Sequence, residues 1–201
     1  NLQALLDSGA PTATLVGKSW DFHVLTALET TLEENLNMIR ESITYLKDKN
    51  REVIFDAEHF FDGFKANSDY ALQVLETAEA AGADWIILCD TNGGSMPWEI
   101  AAIVSQVSQS MSSPLGIHAH NDAGCAVSNS LMAVQSGCQQ VQGTINGYGE
   151  RCGNADLCSI IPNLELKMQR ACLPSGRLKH LSEVSHYIAE IANMPHHNNQ
   201  P

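Results

Sequence analysis

Short apolar runs alternate along the chain with segments of helical periodicity, and this alternation constrains the fold more than any other feature of the sequence. Each run is rich in β-branched or large apolar residues and ends in polar or glycine-rich residues, which is typical of the buried strands of a parallel sheet. The runs lie at residues 13–16, 52–55, 85–88, 115–118 and 140–144. We therefore predict five strands.

The segments between the runs predict amphipathic helices. The clearest apolar stripe has helical spacing and comprises Leu32, Leu36, Ile39, Ile43 and Leu46. Thr31 directly precedes this stripe and Glu34 lies within it, and the two have the spacing of a capping box. A helix after the fifth run has Asn154 as a candidate N-cap and is interrupted by Pro162, and a last helix is predicted over residues 178–191.

Repeated strand–helix units form either a doubly wound open sheet or a (β/α)₈ barrel. A closed barrel takes about 250 residues, whereas this chain has 201 residues and five units. The chain is therefore predicted to be an α/β protein with either an open sheet or an incomplete barrel, and periodicity alone does not decide between them. Both architectures bind ligands at the carboxyl ends of their strands.

Composition excludes several classes of function. The chain has 11 Lys and Arg against 23 Asp and Glu, a net charge of −12, so we expect it to bind neither nucleic acid nor an anionic membrane. No apolar run approaches the roughly 18 residues that a transmembrane helix requires. The 6 cysteines form no C-x-x-C pair, which favours free thiols in a reducing compartment such as the cytoplasm.

Polar residues follow every run, at the end of each predicted strand where ligands bind. They are Lys18, Ser19 and Asp21, then Asp56, Glu58 and His59, then Asp90, Thr91 and Asn92, then residues 118–122, and finally residues 146–154. A single polar strand end would mean little, but a whole series predicts a shared polar pocket.

The pair His118 and His120 is the sharpest feature of this series. Side chains two residues apart on a strand point to the same face, so both imidazoles can bind one metal ion through neutral nitrogens. A metal would need further ligands, for which Asn154 and Asp122 are candidates. The alternative is that the pair is a chance match or a pair of hydrogen-bonded core histidines.

Two further residues are candidates for chemistry. Glu58 lies two residues beyond Asp56 on the same face, where a carboxylate pair can perform acid–base work or position a substrate. The alternative is a structural ion pair of Glu58 with Lys65 or Arg151. Thr91 could donate a hydrogen bond to a substrate carboxylate, or could simply belong to an ordinary turn.

Phosphate-binding motifs are weak in this sequence. Gly17-Lys18-Ser19 resembles the end of a P-loop, but Thr12 stands where the motif requires glycine. No G-x-G-x-x-G follows the first run either. A doubly wound domain that binds a nucleotide or a phosphosugar is therefore disfavoured.

Two motifs resemble those of the metal-dependent Claisen-condensing synthases, the family of 2-isopropylmalate, homocitrate and citramalate synthases. They are His-Ala-His-Asn-Asp at 118–122 and Asn-Gly-Tyr-Gly-Glu-Arg-Cys-Gly-Asn at 146–154. Residues 53–63 and 88–94 most resemble the citramalate synthase branch. The resemblance extends to about Pro195 and implies a (β/α)₈ catalytic barrel. Related hydroxymethylglutaryl-CoA lyases carry a Gly-Cys-Pro loop that is absent here, which favours the synthases.

The resemblance implies roles for particular residues. His118, His120 and Asn154 match positions that hold a divalent metal, Zn²⁺, Mn²⁺ or Mg²⁺. Glu58 matches a catalytic carboxylate near the 2-oxo acid, and Thr91 matches a residue that binds the substrate carboxylate. The implied substrates are acetyl-CoA and pyruvate, condensed to (R)-citramalate in isoleucine biosynthesis by a homodimer. The alternative substrate is the 2-oxoisovalerate of 2-isopropylmalate synthase.

Two departures from the family imply that the chain is a fragment. A Leu-Arg-Asp-Gly segment that supplies an electrophile and a metal ligand is absent, and so is a later segment with a catalytic His. Residues 1–194 are thus expected to form a partial TIM barrel of five units, its strands four to eight, plus a C-terminal helix, and 195–201 to begin a polar linker. We expect the isolated fragment to be inactive, at best a weak metal-binding piece.

Overall fold

A computed structural model describes residues 2–196 of the chain, so the predicted linker lies outside the described residues from position 197 onward. Over the described part, the chain forms one parallel sheet whose strands pair in chain order. The strands are β1 (Thr12–Lys18), β2 (Glu52–Glu58), β3 (Trp85–Asp90), β4 (Leu115–Ala119) and β5 (Gln140–Gln142). All five begin at or within one residue of the predicted runs, and β5 is shorter than predicted.

Helices separate the strands. They are α1 (Leu2–Asp7), α2 (Asp21–Thr26), α3 (Leu32–Lys47), α4 (Phe60–Ala66), α5 (Ser68–Ala80), α6 (Pro97–Ser110), α7 (Ala126–Gln135), α8 (Leu157–Pro162) and α9 (Leu181–Ile191). Short 3₁₀ turns lie at Ile145–Gly147 and Leu178–His180, and a π-helical turn follows α8 at Asn163–Lys167. No helix of the described residues is long and apolar enough to cross a membrane.

Capping side chains begin several of the helices, and two of these caps bear on the sequence predictions. Thr31 Oγ1 accepts the backbone N–H of Glu34 at 3.1 Å and begins α3, as predicted. Asp156, rather than Asn154, caps α8 by accepting the N–H of Cys158 at 2.9 Å. Pro162 ends α8, as its missing N–H and its ring require. The amide of Asn154 is therefore not used as a helix cap.

The strand order excludes a doubly wound sheet. In that architecture the order reverses partway, whereas here it runs from β1 to β5 without reversal. Right-handed crossovers between successive neighbours place the helices that connect the strands on the same face of the sheet. The residues that this outer face buries include Val53, Phe55, Ala57, Ile86, Leu88 and Ile117.

The opposite face of the sheet is concave and carries the polar residues. Gln142 Nε2 of β5 donates to Asp56 Oδ1 of β2 at 3.1 Å. These strands are three positions apart, which in a flat sheet corresponds to about 14 Å. The side chains meet because the sheet curls into an arc, which is the geometry of a partial (β/α)₈ barrel.

Candidate active site

The polar strand ends form one layer on the concave face. Strand register pairs Lys18 with Glu58 and pairs His118 with both Cys89 and Gln142. Paired residues of neighbouring parallel strands point to the same face, so these side chains line the inside of the arc at the carboxyl ends of the strands. This is the position at which barrels of this kind bind their ligands.

The three predicted metal ligands lie together. The His118 and His120 ring centroids are 5.3 Å apart, so both imidazoles leave β4 on the same side. Asn154 Nδ2 lies 2.9 Å from His118 Nε2, and the backbone of Asn154 forms an isolated bridge with that of His120. The structure brings these groups together, and their role as metal ligands stays a prediction.

A ring nitrogen of His120 suits a cation. His120 Nδ1 is buried and accepts or donates no hydrogen bond among the described residues. Burial lowers the pKa of His120, and the nearby His118 and Arg151 lower it further, so its neutral form is favoured. A buried, unpaired and neutral imidazole nitrogen is the kind of donor that binds divalent transition metals.

The donor set fits a divalent cation only if an amide takes part. Within residues 2–196, no group of three or more His, Cys, Asp or Glu side chains is placed to hold a metal ion. The two imidazoles therefore need the amide oxygen of Asn154 or groups from elsewhere. In this structure the Asn154 oxygen faces Gly149 and the amide nitrogen faces His118, so binding through the oxygen would require the amide to rotate. Asp122, the other sequence candidate, instead accepts hydrogen bonds from Arg151 at 2.8 and 3.0 Å. Two imidazoles and an amide oxygen are chemically compatible with Zn²⁺ or Mn²⁺.

Glycines in the loop after β5 make room for Asn154. The side-chain oxygen of Asn154 occupies the space that a Cβ at Gly149 would need, so a larger residue at Gly149 would displace it. Gly153 has φ +94°, and a Cβ there would meet the backbone oxygen of Gly147. The loop therefore uses glycine to wrap closely around the Asn154 amide rather than to hold a phosphate.

Glu58 forms an ion pair with Lys18, its register partner on β1. Lys65 and Arg151, the partners considered from the sequence, instead contact other side chains. Lys65 lies near Ser95 and Glu99, at 3.4 and 3.5 Å. The ion pair leaves part of the Glu58 carboxylate facing the concave side, so an ion pair and a substrate contact are compatible.

Thr91 lies in the loop after β3 with its hydroxyl proton available. Its Oγ1 accepts the backbone N–H of His59 at 2.8 Å. Because the hydroxyl oxygen is the acceptor in that bond, the O–H can donate to another group. A substrate carboxylate is a suitable acceptor, as the sequence analysis predicted.

Arg151 ties three strand-end loops together. Its guanidinium donates to Asp122 in the loop after β4 and, at 2.6 Å, to the carbonyl oxygen of Thr91 in the loop after β3. Arg151 itself belongs to the loop after β5. The hydrogen bonds from Arg151 hold the pKa of Asp122 below its usual range. Arg151 was considered as an ion-pair partner of Glu58, and its close carboxylate partner is instead Asp122.

Sequence reasoning assigned no role to Gln142, which contacts His118. His118 Nδ1 lies 2.8 Å from Gln142 Oε1, and Gln142 in turn bonds to Asp56. Burial raises the pKa of Asp56, and the hydrogen bond from Gln142 acts in the opposite direction. Gln142 is visible in the sequence as a polar residue of the fifth run. Its contacts with His118 and Asp56 depend on strand register and sheet curvature, which the sequence pattern does not show.

A curved parallel sheet with imidazole, amide and carboxylate groups at its strand ends is the architecture of a (β/α)₈ barrel with a polar ligand site. The model of the HMGL-like family matches residues 1–188, so the chain belongs to this family. It is 58% identical over its whole length to the (R)-citramalate synthase of Aquifex aeolicus, covering 38% of that protein. It is 54% identical to the (R)-citramalate synthase of Synechocystis, of which it covers 37%.

More distant relatives and solved structures agree with the fold. A 2-isopropylmalate synthase of Sulfolobus acidocaldarius is 33% identical over 97% of the chain and 50% of that protein. The HMG-CoA lyase of Bacillus subtilis superposes with a TM-score of 0.84 at 19% identity, over 98% of this chain and 69% of that one. The predicted partial (β/α)₈ barrel and the predicted resemblance to citramalate synthases are thus confirmed. The chain spans less than two fifths of the length of the citramalate synthases named here.

Proposed function

We propose that the chain forms five of the eight strand–helix units in the catalytic barrel of an (R)-citramalate synthase, an enzyme that joins acetyl-CoA to pyruvate. The observation that carries this proposal is the identity of 58% to a citramalate synthase, against 33% to a 2-isopropylmalate synthase. The proximity of His118 to both His120 and Asn154 on the concave face supports it. Pyruvate is thus favoured over 2-oxoisovalerate.

His118, His120 and Asn154 are proposed to hold a divalent cation. A cation bound there would act as a Lewis acid on the keto oxygen of the 2-oxo acid. The neutral state of His120, favoured by its lowered pKa, keeps a lone pair available for this role. The absence of a third acidic or imidazole ligand within residues 2–196 supports a need for ligands from outside the described part.

Thr91 and Glu58 are proposed to orient the 2-oxo acid. The Thr91 hydroxyl donates to the substrate carboxylate while its oxygen stays bonded to the His59 N–H. Glu58, held by Lys18, is the catalytic carboxylate beside the reacting carbonyl. Fixing both ends of a small substrate in this way places its carbonyl carbon for attack.

The reaction joins two carbon atoms and releases CoA. A base removes a proton from the acetyl methyl group, and the resulting carbon nucleophile attacks the keto carbon of pyruvate. The keto oxygen gains a proton and becomes the tertiary hydroxyl group of citramalate. Water then hydrolyses the thioester, and the free thiol of CoA is the measurable product. We further propose a homodimer in the cytoplasm, in keeping with the free cysteines.

The test is thiol release by the full-length protein that carries this chain, supplied with Mn²⁺, acetyl-CoA and one 2-oxo acid. We expect release of CoA with pyruvate and much less with 2-oxoisovalerate. The His120→Ala variant should lose release, whereas His180→Ala, at a half-buried position whose ring lies near Glu183, should retain it. Release with 2-oxoisovalerate alone would assign the isopropylmalate reaction instead, and no release with either acid would refute the proposal.

A further inference from the structure

His118 is the centre of a hydrogen-bonded chain that crosses the concave face of the barrel. Its Nδ1 lies 2.8 Å from Gln142 Oε1 on the neighbouring strand β5. Gln142 Nε2 donates to Asp56 Oδ1 on β2 at 3.1 Å. On the other side of the ring, Asn154 Nδ2 lies 2.9 Å from His118 Nε2. Asp56 is buried, and Gln142 and His118 are half-buried, so water competes weakly for these bonds.

The chemistry of the three groups decides which group donates and which accepts in each of these hydrogen bonds. A carboxylate only accepts hydrogen bonds, so Asp56 requires the NH₂ group of the Gln142 amide to face it. The carbonyl oxygen of Gln142 must then face His118 and can only accept from it. His118 therefore carries its proton on Nδ1, because the hydrogen bond made by one ring nitrogen decides which nitrogen is protonated.

We propose that Asp56 and Gln142 are positioning residues that set the tautomer and the ring orientation of His118, with the lone pair of Nε2 directed at the ligand site. This proposal rests on the proposed cation site and names two residues that contact neither the cation nor the substrate. The Nδ2–H of Asn154 facing Nε2 is consistent with a lone pair there. Partners of this kind typically change metal affinity or activity by about 10- to 100-fold when removed.

A pair of isosteric substitutions tests the donor–acceptor direction of the hydrogen bonds that link Asp56, Gln142 and His118. In Asp56→Asn, the new amide can present either its oxygen or its NH₂ group, so Gln142 is no longer held in one orientation. In Gln142→Glu, two carboxyl groups face each other at positions 56 and 142. In the double variant, the amide at position 56 donates to the carboxylate at position 142, which accepts the Nδ1 proton of His118 again.

The first measurement is the dissociation constant of Mn²⁺ in the full-length protein, by competition with a chelator. We expect each single variant to raise it by about 10- to 100-fold, and we expect the double variant to recover most of that loss. Asp48→Asn and Gln139→Glu make the same chemical changes at exposed positions and should leave the constant unchanged. A thermal melt of each variant confirms that the protein is folded.

The second measurement is the tautomer of His118, from ¹⁵N chemical shifts of labelled histidine in the protein without added metal. We expect the proton on Nδ1 in the parent protein and in the double variant, and a mixture in Asp56→Asn. A proton on Nε2 in the parent protein would overturn the proposal. So would single variants that bind Mn²⁺ like the parent, or a double variant as weak as the two losses combined.

The two proposals can fail separately. A protein that releases no CoA but keeps the Nδ1 tautomer and the rescue by the double variant would refute the reaction and leave the positioning role intact. A protein that condenses pyruvate with acetyl-CoA but shows no rescue would refute the positioning role alone.

Discussion

Thr91 shows how one hydroxyl can serve the backbone and a substrate at once. Its oxygen accepts the N–H of His59, a residue in the left-handed region with φ 57°. That bond orients the hydroxyl group, so the remaining proton has a defined direction before a substrate arrives. Because Thr91 Oγ1 is the acceptor in this hydrogen bond, its O–H remains free to donate, which supports a role in substrate binding.

Replacing Thr91 by Val removes the hydroxyl and keeps the shape of the side chain. A hydrogen bond to a charged group contributes about 1.5–3 kcal/mol, so we expect kcat/KM for the 2-oxo acid to fall about 10- to 100-fold, mainly through KM. Steady-state kinetics of the full-length protein measure this. Thr91→Ser should retain most of the activity, and Thr77→Val, whose hydroxyl bonds only to Gln73 of its own helix, should retain all of it. An unchanged KM in Thr91→Val would contradict the role.

At the scale of elements, the loops after β3, β4 and β5 behave as one unit because Arg151 joins them. The backbone adds to this tie: Asn121 N–H donates to Gly153 O, and Ala123 N–H donates to Gly93 O, both at 2.9 Å. These loops carry the residues that follow the strands, so the position of Thr91 relative to His120 depends on their mutual contact.

Removing the guanidinium of Arg151 should loosen this unit without unfolding the protein. We expect Arg151→Ala to lower kcat/KM by roughly 10- to 100-fold, because small misplacements of reacting groups are costly. Added guanidinium ion should restore part of the loss by occupying the vacated position. Arg177→Ala, at an exposed position, is the matched control. Full activity in Arg151→Ala, or a loss of activity that added guanidinium ion does not restore, would contradict the role of Arg151 in joining the three loops.

Asp84 fastens the start of β3 to β2 and α3. Its carboxylate accepts from Lys47 Nζ at 2.6 and 2.8 Å and from the Val53 N–H at 2.7 Å. Burial raises the pKa of Asp84, but the hydrogen bonds from Lys47 and Val53 outweigh it, and the net pKa is lowered. A folded pKa below the unfolded value of about 3.9 stabilises the fold above that pH, and this contribution is lost as the pH falls through the folded pKa.

Asp84→Asn should therefore lower the free energy of unfolding near neutral pH, and the difference from the parent should shrink as the pH falls below about 4. Denaturant unfolding at several pH values measures both. Asp48→Asn, at an exposed position, should show little change at any pH. A difference that is the same at acidic and neutral pH would mean that shape, rather than charge, decides the effect.

Much of the arrangement of elements could be predicted from the sequence, because each strand is a short apolar run with its own turn residues. Helices α1, α2 and α4 were not predicted, since elements of 6 or 7 residues carry too little periodicity. β5 ends at Gln142 rather than at 144: Gly143 lies against the backbone of Ala155, where a Cβ would meet the carbonyl oxygen, and Thr144 forms only an isolated bridge with Asp156. The contact between Asp56 and Gln142 was also beyond prediction, since it depends on the curl of the whole sheet.

At the scale of the whole molecule, the described arc leaves its concave face uncovered. Val16 on β1 is 66% exposed although it lies on the face that a complete barrel would enclose. β1 pairs only with β2 among the described residues, so its other edge presents unpaired backbone groups. An apolar side chain beside an open strand edge favours association with further strands.

We expect the isolated 201-residue chain to associate in solution, and Val16→Lys to reduce that association because charge on an open edge opposes pairing. Sedimentation velocity at several concentrations measures this. Leu166→Lys removes an equally exposed apolar side chain, 65% exposed, from the turn after α8 and should have little effect. A monomeric parent chain with a cooperative melt would contradict the expectation.

The hydrogen bond between Asp56 and Gln142 joins residues 86 positions apart in the sequence. It can therefore form only after β5 has been synthesised on the ribosome. The two histidines emerge before β5 and before Asn154, so a nascent chain that ends at β4 has imidazoles with neither their support nor their amide neighbour. A cation at the proposed site would then bind late, after the curved sheet has formed. Refolding followed by stopped flow should accordingly show early sheet formation at the same rate with and without Mn²⁺.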